Sequence, residues 1–486
     1  MSNIKNLEPK ELWGYFSEIC QIPHPSKKER KMVEYVKSFG EKLGLKTIVD
    51  ETGNVIIKKA ATKGYEKKKP VVLQAHLDMV PQKNSDKKHD FEKDPIEAYV
   101  DGEWVTARGT TLGSDNGIGI AASMAVLASK DLNHGPVEAL FTVDEETGMT
   151  GANNLKPGYL DAEILINMDS EDEGELYVGC AGGIDITASK SYKEEPVPGN
   201  VKAYRIDAKG MKGGHSGIDI PLGRANANQV VFRFLMRAEA DLDIQIAEAA
   251  GGDLRNAIPR EAYALVVVPE NKTKEFEKLV NEYDGILKDE YGDIEPDINF
   301  TCKPADKPDG LVPADEQYGF IRSVFACPNG VMRMSTSMEG LVETSNNLAV
   351  VKLGGGNFEA LSLTRSSVDT AKEATAWKIA AVFQLAGAEI EMSGAYPGWK
   401  PNMKSPVLKT MQDVYNKMFG KIPEIKAIHA GLECGIIAGA YPNLDMISFG
   451  PTIRYPHSPD EKVNIETVKK FWDFLVKTLE AVPEKK

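Results

Sequence analysis

Two imidazoles and three carboxylates stand where apolar, extended stretches of this chain give way to turns or glycine-rich segments: His76, Asp115, Glu146, Asp169 and His457. That inventory suits two borderline divalent ions, such as zinc, manganese or cobalt, better than a calcium cage or a thiolate site. Two ions about 3.5 to 4 Å apart need one bridging ligand, which a bidentate carboxylate supplies naturally, and a further carboxylate must stay off the metals to act as base. In Val71-Val-Leu-Gln-Ala-His-Leu-Asp-Met-Val80, residues two apart on a strand share a face. His76 and Asp78 can therefore lie side by side, the aspartate fixing the imidazole tautomer and aiming its free nitrogen at a metal. Glu145 and Glu146 end an apolar strand, and adjacent carboxylates repel unless a cation or shared proton compensates. Each feature alone also has a plainer reading. The strand can end in a satisfied histidine, the acidic pair can be a solvated turn, and Gly113-Ser-Asp-Asn-Gly117 can be a turn with a helix cap. His457, in the proline-bracketed Arg454-Tyr-Pro-His-Ser-Pro459, can be a surface histidine. The glycine-rich turn is not a Walker phosphate loop, because no Gly-Lys-Ser/Thr follows it.

The elements that must position these residues read as strands alternating with helices. Ser26 with Glu29 forms a capping-box start, and Met32, Val36, Phe39 and Leu43 recur at helical spacing until Gly44. Leu45 to Lys58 reads as two strands around Glu51-Thr-Gly-Asn54, followed by the His76 strand. A glycine-rich turn then opens a helix through Met124 and Leu127. Val137–Val143 and Glu163–Met168 are buried strands ending at Asp144 and Asp169. This order implies an α/β catalytic domain with a mixed central sheet flanked by helices. After about Ser189 the character changes. Strands at Val201–Asp207, Ala262–Pro269 and Pro296–Lys303 with helices at Asn226–Leu242 and Thr273–Tyr291 give the order of a small α+β sandwich. A second block, a hairpin over Leu348–Leu363, a helix over Thr370–Leu385 and a strand over Glu389–Gly394, repeats it in outline. Residues 189–397 are thus expected to form an inserted α+β domain with two similar halves. Pro196-Val-Pro-Gly199 and Tyr396-Pro-Gly-Trp399 mark its hinges, and residues 1–188 and 398–486 form the catalytic domain.

With 486 residues, 42% hydrophobic and 27% charged, the chain is expected to be globular with two or three domains. Lys+Arg 58 against Asp+Glu 72 gives a net charge of -14, which disfavours nucleic acid and anionic membrane surfaces as partners. The N-terminus lacks an apolar leader region and no run of about 18 apolar residues occurs, so cytoplasm is the expected compartment. Five dispersed cysteines (Cys20, Cys180, Cys302, Cys327, Cys434) suggest reduced thiols used in packing.

In order, His76-x-Asp78, Gly113-Ser-Asp115-Asn-Gly117, Asp144-Glu145-Glu146, Asp169 and a late histidine resemble the motif set of the di-zinc aminoacylase and carboxypeptidase clan of metallopeptidases. Leu112-Gly-Ser-Asp-Asn-Gly-Ile-Gly119, Gly213-Gly-His-Ser-Gly217, Asn256-Ala-Ile-Pro259 and His429-Ala-Gly-Leu-Glu-Cys-Gly435 resemble the aminoacyl-histidine dipeptidases, or cytosolic non-specific dipeptidases. The resemblance covers the whole chain. It implies two divalent ions, zinc with manganese or cobalt as alternatives, with Asp115 bridging, His76 and Asp169 on one or other ion, and Glu146 and His457 completing the pair; the expected pairing puts Asp169 with His76, leaving Glu146 and His457 on the other ion. It further implies that Asp78 orients His76, that Glu145 is the general base, and that the Asp115-Asn116 bond is cis. The inserted domain resembles the family's lid, in which His215 would polarise the scissile carbonyl and Asn256 and Arg365 would meet the substrate carboxylate. A surface arginine closing a strand is the plainer reading of Arg365. His429 and Glu433 would line the substrate cleft.

The activity so implied is hydrolysis of unblocked dipeptides, plausibly including those ending in histidine, by a metal-bound water that Glu145 deprotonates. A deacylase or aminotripeptidase of the same clan is the nearest alternative. A non-catalytic two-lobed binding protein would have lost a ligand or Glu145, and none is lost. The lid is about twice the length found in short-lid relatives and could supply His215 within one chain, so a monomer and a homodimer both remain open.

Overall fold

Val71–His76 is buried at every position because parallel neighbours flank it on both sides, Val137–Thr142 and Ile164–Asn167. These strands belong to the first of two compact units into which the computed structural model divides: Met1–Gly179, Pro401–Ala427 and Leu432–Lys486 in one, Cys180–Lys400 and Ile428–Gly431 in the other. The structure describes residues 3–485, so the first two positions of the N-terminal stretch considered above lie outside it.

In the first unit an eight-stranded mixed sheet runs Lys46–Val49, Val55–Lys59, Val137–Thr142, Val71–His76, Ile164–Asn167, Asp445–Ser448, Glu175–Cys180, Glu424–Ile428. The third to sixth strands of that order are parallel. Their carboxyl ends share one end of the sheet, where open α/β sheets place their ligands. Helix Ser114–Ala128 packs on the His76 strand and is almost wholly buried. Its small residues follow from close approach: a Cβ on Gly119 would sit 2.1 Å from Asn116 Oδ1 and 2.9 Å from the Met168 carbonyl oxygen. A separate four-stranded sheet, Ile453–Arg454, Lys462–Asn464, Trp104–Ala107 and Ala98–Asp101, pairs Val463 with Val105 and with Ile453. It anchors two loops at once, the glycine-rich turn after Ala107 and the His457 loop between Arg454 and Lys462.

The larger antiparallel sheet of the second unit reads as two copies of a single topology. Val201–Lys209, helix Ala227–Leu242, Gln245–Gly251, Ala262–Pro269, helix Thr273–Tyr291 and Asn299–Pro304 form one copy. Gly182–Ser191, helix Ala314–Ala326, Val342–Gly354, Asn357–Ser366, helix Asp369–Leu385 and Glu389–Tyr396 form the other. In each, the strands lie in the spatial order fourth, first, third, second, and the two second strands pair where Ala250 meets Lys352. Aromatic and aliphatic side chains between the sheet and its four helices make one core.

Three local readings change. Helix Arg30–Lys42 has no side-chain cap; Ser26 Oγ instead donates to the Met79 carbonyl at 3.3 Å, and Glu29 is buried. The chain enters the second unit at Cys180, before Ser189, because Gly182–Ser191 pairs along its length with Asn357–Ser366 and on its other side with Glu389–Tyr396. Pro196–Gly199 therefore lies inside that unit and is no boundary. Gln245–Gly251, alanine-rich and without a clear alternation, becomes a strand because partners on both sides recruit it.

Phe234 is 1% exposed, and its ring lies 5.9 Å from that of Phe276, 5.4 Å from Tyr283 and 4.9 Å from Phe300. Phe234→Ala should cost about 3 to 5 kcal/mol in denaturant unfolding. A loss below roughly 1 kcal/mol would contradict this packing.

Candidate metal centre and substrate-contact residues

His76 closes its strand in the interior, 1% exposed. Its Nδ1 donates to the Asp78 carbonyl oxygen at 3.0 Å and lies 3.4 Å from Asp78 Oδ1. Nε2 is thereby turned toward Asp115 Oδ1 at 3.1 Å and Asp169 Oδ1 at 3.3 Å. The other oxygen of Asp115, Oδ2, lies 3.3 Å from His457 Nε2, which is 3.0 Å from Glu146 Oε2. One carboxylate thus stands between two donor pairs, His76 with Asp169 and His457 with Glu146.

Several groups hold this arrangement. The Asp78 carboxylate accepts the backbone N–H of Glu145 at 2.9 Å and of Glu146 at 3.2 Å, so the residue beside His76 also fixes the acidic turn. Asp144, at φ 52°, accepts the hydroxyls of Thr147 and Thr150. The Asn116 amide donates to the Met168 carbonyl at 2.8 Å and to the Asp169 carboxylate, and the Asp115-Asn116 peptide is cis. Glu461, 2% exposed, accepts Leu112 N at 2.8 Å, Gly113 N at 3.0 Å, Ser114 N at 2.8 Å and Ser114 Oγ at 2.6 Å, with Asp115 N at 3.4 Å.

The electrostatics follow from crowding. Burial opposes the charge of Asp78, yet hydrogen bonds from His76 and the Glu145 amide hold its pKa at about 2. Burial lifts Asp169 to about 6 against the pull of His76, and repulsion from Asp115 and Glu146 adds to the rise. Burial also carries Glu145 well above the carboxylate range, and Asp169, Glu433 and Glu146 add to it against His76. Hydrogen bonds to Asp115 and then Glu146 push His457 up to about 11. A field that raises the proton affinity of both a carboxylate and an imidazole attracts a divalent cation still more strongly. The donor set fits one: ligand atoms of His76, Asp115 and Glu146 lie within 4.8 Å of one another, and Glu146 Oε1 is buried without a hydrogen-bond partner.

Glu433, fully buried, starts helix Glu433–Ala440. Its Oε2 accepts Gln74 Nε2 at 2.6 Å and Thr142 Oγ1 at 2.8 Å, while Asn167 donates to Gln74 Oε1 at 2.5 Å. Burial raises its pKa to about 7, with Asp169 adding to the effect.

The second unit holds His215, Asn256, Arg365 and His429. Gly214–His215 pairs with Ala257–Ile258, and Ser216 N donates to the Asn256 carbonyl at 2.9 Å, which brings the two motifs side by side; the Asn256 side chain is exposed. His215 Nδ1 accepts Gly217 N at 3.2 Å and Ile218 N at 3.1 Å, so the ring hydrogen belongs on Nε2. Burial, then Arg365, keep this imidazole below its ordinary pKa and hence neutral. Arg365, 6% exposed, donates to Tyr396 Oη at 3.0 Å and Ser216 Oγ at 3.4 Å, and forms no ion pair among the described residues. It is a buried cation with neutral partners, not a surface residue. His429 Nε2 lies 2.7 Å from Ser345 Oγ, and a Cβ on Gly217 would sit 2.1 Å from the His429 carbonyl oxygen. A groove of about 1160 Å³ elsewhere on this unit, lined by Lys190, Glu248, Tyr263 and Glu359 among others, contains none of these residues.

A mixed α/β sheet whose parallel strands end in clustered carboxylates and imidazoles, with a buried glutamate beside them, has the make-up of a metal-dependent hydrolase. Residues 72–481 match the model of Peptidase family M20/M25/M40, and the chain belongs to that family. It is 47% identical over 485 residues to the cytosol non-specific dipeptidase of Escherichia coli (strain K12), with 100% of each chain covered. Its structure superposes with TM-score 0.96 on a crystal structure of aminoacylhistidine dipeptidase from Vibrio alginolyticus, at 50% identity, covering 100% of this chain and 99% of that one. The aminopeptidase PepT from Bacillus cereus ATCC 10987, 17% identical with TM-score 0.57 over 98% of this chain and 99% of that one, shares the fold alone.

Reading the sequence missed Glu461, Gln74, Thr142, Ser216 and Tyr396. A glutamine inside the otherwise apolar Val71-Val-Leu-Gln-Ala75 was a usable signal, since a buried amide needs partners. Nothing in Ser458-Pro-Asp-Glu-Lys462 sets Glu461 apart from its charged neighbours.

Burial first, then Arg365, drive the His429 imidazole down to about 3, against about 6.5 for an unfolded histidine. A depressed pKa stabilises the fold above the unfolded value, and that contribution is lost as pH falls through 6.5 toward 3. The stability advantage of the parent over His429→Asn should therefore shrink by about 2 kcal/mol between pH 7 and pH 5. Parallel stability curves for the two proteins over that range would exclude a neutral buried imidazole.

Proposed function

We propose that this chain is a metal-dependent dipeptidase acting on unblocked dipeptides, including those ending in histidine. The observation that carries the reading is the two-sided setting of Asp115, whose oxygens face His76 and His457 separately at 3.1 and 3.3 Å. The relatives' names, a cytosol non-specific dipeptidase and an aminoacylhistidine dipeptidase, support the substrate class. In this reading His76 and Asp169 hold one divalent ion, His457 and Glu146 a second, and Asp115 is shared. Zinc is the proposed metal, with manganese or cobalt as alternatives. When bound, such ions would supply Lewis acidity toward a water and a carbonyl oxygen.

The remaining steps belong to the chain's own side chains. Glu145, raised in pKa by burial, takes a proton from the attacking water and hands it to the leaving amine. Asp78 orients His76 and, through two backbone amides, also keeps Glu145 and Glu146 in register. His215, neutral with its hydrogen on Nε2, donates to the scissile carbonyl oxygen as negative charge develops there. Arg365 takes the substrate's terminal carboxylate, which would provide the anionic partner its buried guanidinium lacks, and Asn256 adds a polar contact. His429 flanks that subsite. Glu433 favours an electrostatic role: fully buried, it raises the proton affinity of Glu145. The compartment is taken to be the cytoplasm, in keeping with the relative's name; among the described residues no helix is long and apolar enough to cross a membrane. The proposal is compatible with a monomer or a homodimer, and it involves neither nucleic acid nor a membrane.

The adjacent glutamates supply the test. Glu145→Gln should retain both metals by elemental analysis while turnover on dipeptides falls by about 10²-fold or more. Glu146→Gln should instead lose metal first, and added metal should restore part of its activity. Metal loss in Glu145→Gln with full occupancy in Glu146→Gln would swap the two roles, and full activity in Glu145→Gln would sink the mechanism. For Arg365→Ala, activity on dipeptides should drop far more than on the matching dipeptide amides. Equal losses would remove Arg365 from carboxylate recognition.

A further inference from the structure

We propose that Glu461 is a positioning residue for the metal centre, fixing the backbone of Leu112 to Asp115 so that Asp115 presents one oxygen to His76 and the other to His457. The inference rests on the reading of Asp115 as the shared ligand. Glu461 lies four residues beyond His457 and only 2% exposed, and it forms no ion pair among the described residues. Its charge is met instead by three consecutive backbone amides, those of Leu112, Gly113 and Ser114, together with the Ser114 hydroxyl. Successive amides converge on one anion where the chain turns between right- and left-handed conformations, and Gly113 lies in the left-handed region at φ 72°. A side chain there would press on Met79 Sδ at 3.1 Å. Asp115 and Asn116 depart from helical geometry, so this turn precedes the regular part of helix Ser114–Ala128, and Gly113 has no side chain with which to satisfy its amides. A carboxylate from far along the chain satisfies those amides.

The consequence for the site is geometric. The four-stranded sheet aligns Trp104–Ala107 with Lys462–Asn464, but the loops leaving these strands, one bearing Asp115 and the other His457, extend beyond its hydrogen bonds. Glu461 ties the first loop to the root of the second within a few residues of both candidate ligands. All four of its shorter contacts are donors, so a glutamine in its place must turn an N–H toward a backbone N–H whichever way it lies. The volume is preserved while the clamp is lost.

The experiment is a competitive zinc titration against a chelator, on the full chain and on Glu461→Gln, at a temperature where circular dichroism shows both folded. Zinc affinity should fall about 10- to 100-fold, the scale for losing a partner that orients ligands. Turnover should recover at high zinc, with KM for dipeptide then unchanged. Ser405→Ala, which removes the cap of helix Pro406–Phe419, serves as a control for mere loss of stability and should bind zinc like the parent. If Glu461→Gln melts lower yet binds zinc as tightly as the parent, the residue only braces the turn and the proposal fails. If Glu461→Gln cannot be obtained folded, Ser114→Ala, which removes one donor to the same carboxylate, must weaken zinc binding, and an unchanged affinity overturns the proposal. A parent chain that binds no divalent ion would remove the metal reading itself, whereas parent binding with an unaffected Glu461→Gln would remove this inference alone.

Discussion

The first unit is built around a repulsion. Asp115, Glu145, Glu146 and Asp169 converge near the carboxyl ends of parallel strands, and the nearby imidazoles are too few to neutralise them. A fold that relied on these residues for stability would be a poor one, since buried like charges are among the costliest arrangements in a protein. The surrounding chain is spent on holding them in place. Asp78 grips two amides of the acidic turn, Asn116 reaches both Met168 and Asp169, and the helix behind the turn is made of residues small enough to let them approach.

The second unit presents the opposite problem. Its candidate contact residues are a buried guanidinium with only neutral oxygen partners and two imidazoles kept uncharged by burial and by that same guanidinium. The local field there favours an anion, as the local field in the first unit favours a cation.

How much of this could be read from the sequence depends on how local each cause is. The His76, Asp144 and Asp169 strand ends were legible because apolar runs stop abruptly at polar residues, and the alternation of strands and helices conveyed the α/β class. The spacing pairs Asp78 with His76, as the structure does, but its hold on Glu145 and Glu146 joins residues far apart in the chain, and no spacing rule reports that. Ser26 and Glu29 matched a capping pattern whose members the tertiary structure uses elsewhere, Ser26 on Met79. Gly182–Ser191 went unread as part of the second unit because both of its partner strands come more than a hundred and fifty residues later. Arg365 could not be told from a surface arginine until its burial was known.

The chain is written in nested parentheses. Gly182–Ser191 opens a half that closes only with Asn357–Ser366 and Glu389–Tyr396, and a complete half is spelled out between them. The first unit likewise opens with Val71–His76 and Ile164–Asn167 and closes with Asp445–Ser448 and the His457 loop. Each outer pairing would demand a long loop if the interior were unstructured, but an interior that has already folded brings its own two ends close together and shortens that loop. The innermost copy, containing only near neighbours, has the least loop-closure entropy to overcome, while His457 meets Asp115 across 342 residues of chain. The cluster around Asp115 is therefore a closing bracket: it comes together only when the early strands and the late His457 loop are paired around everything between them.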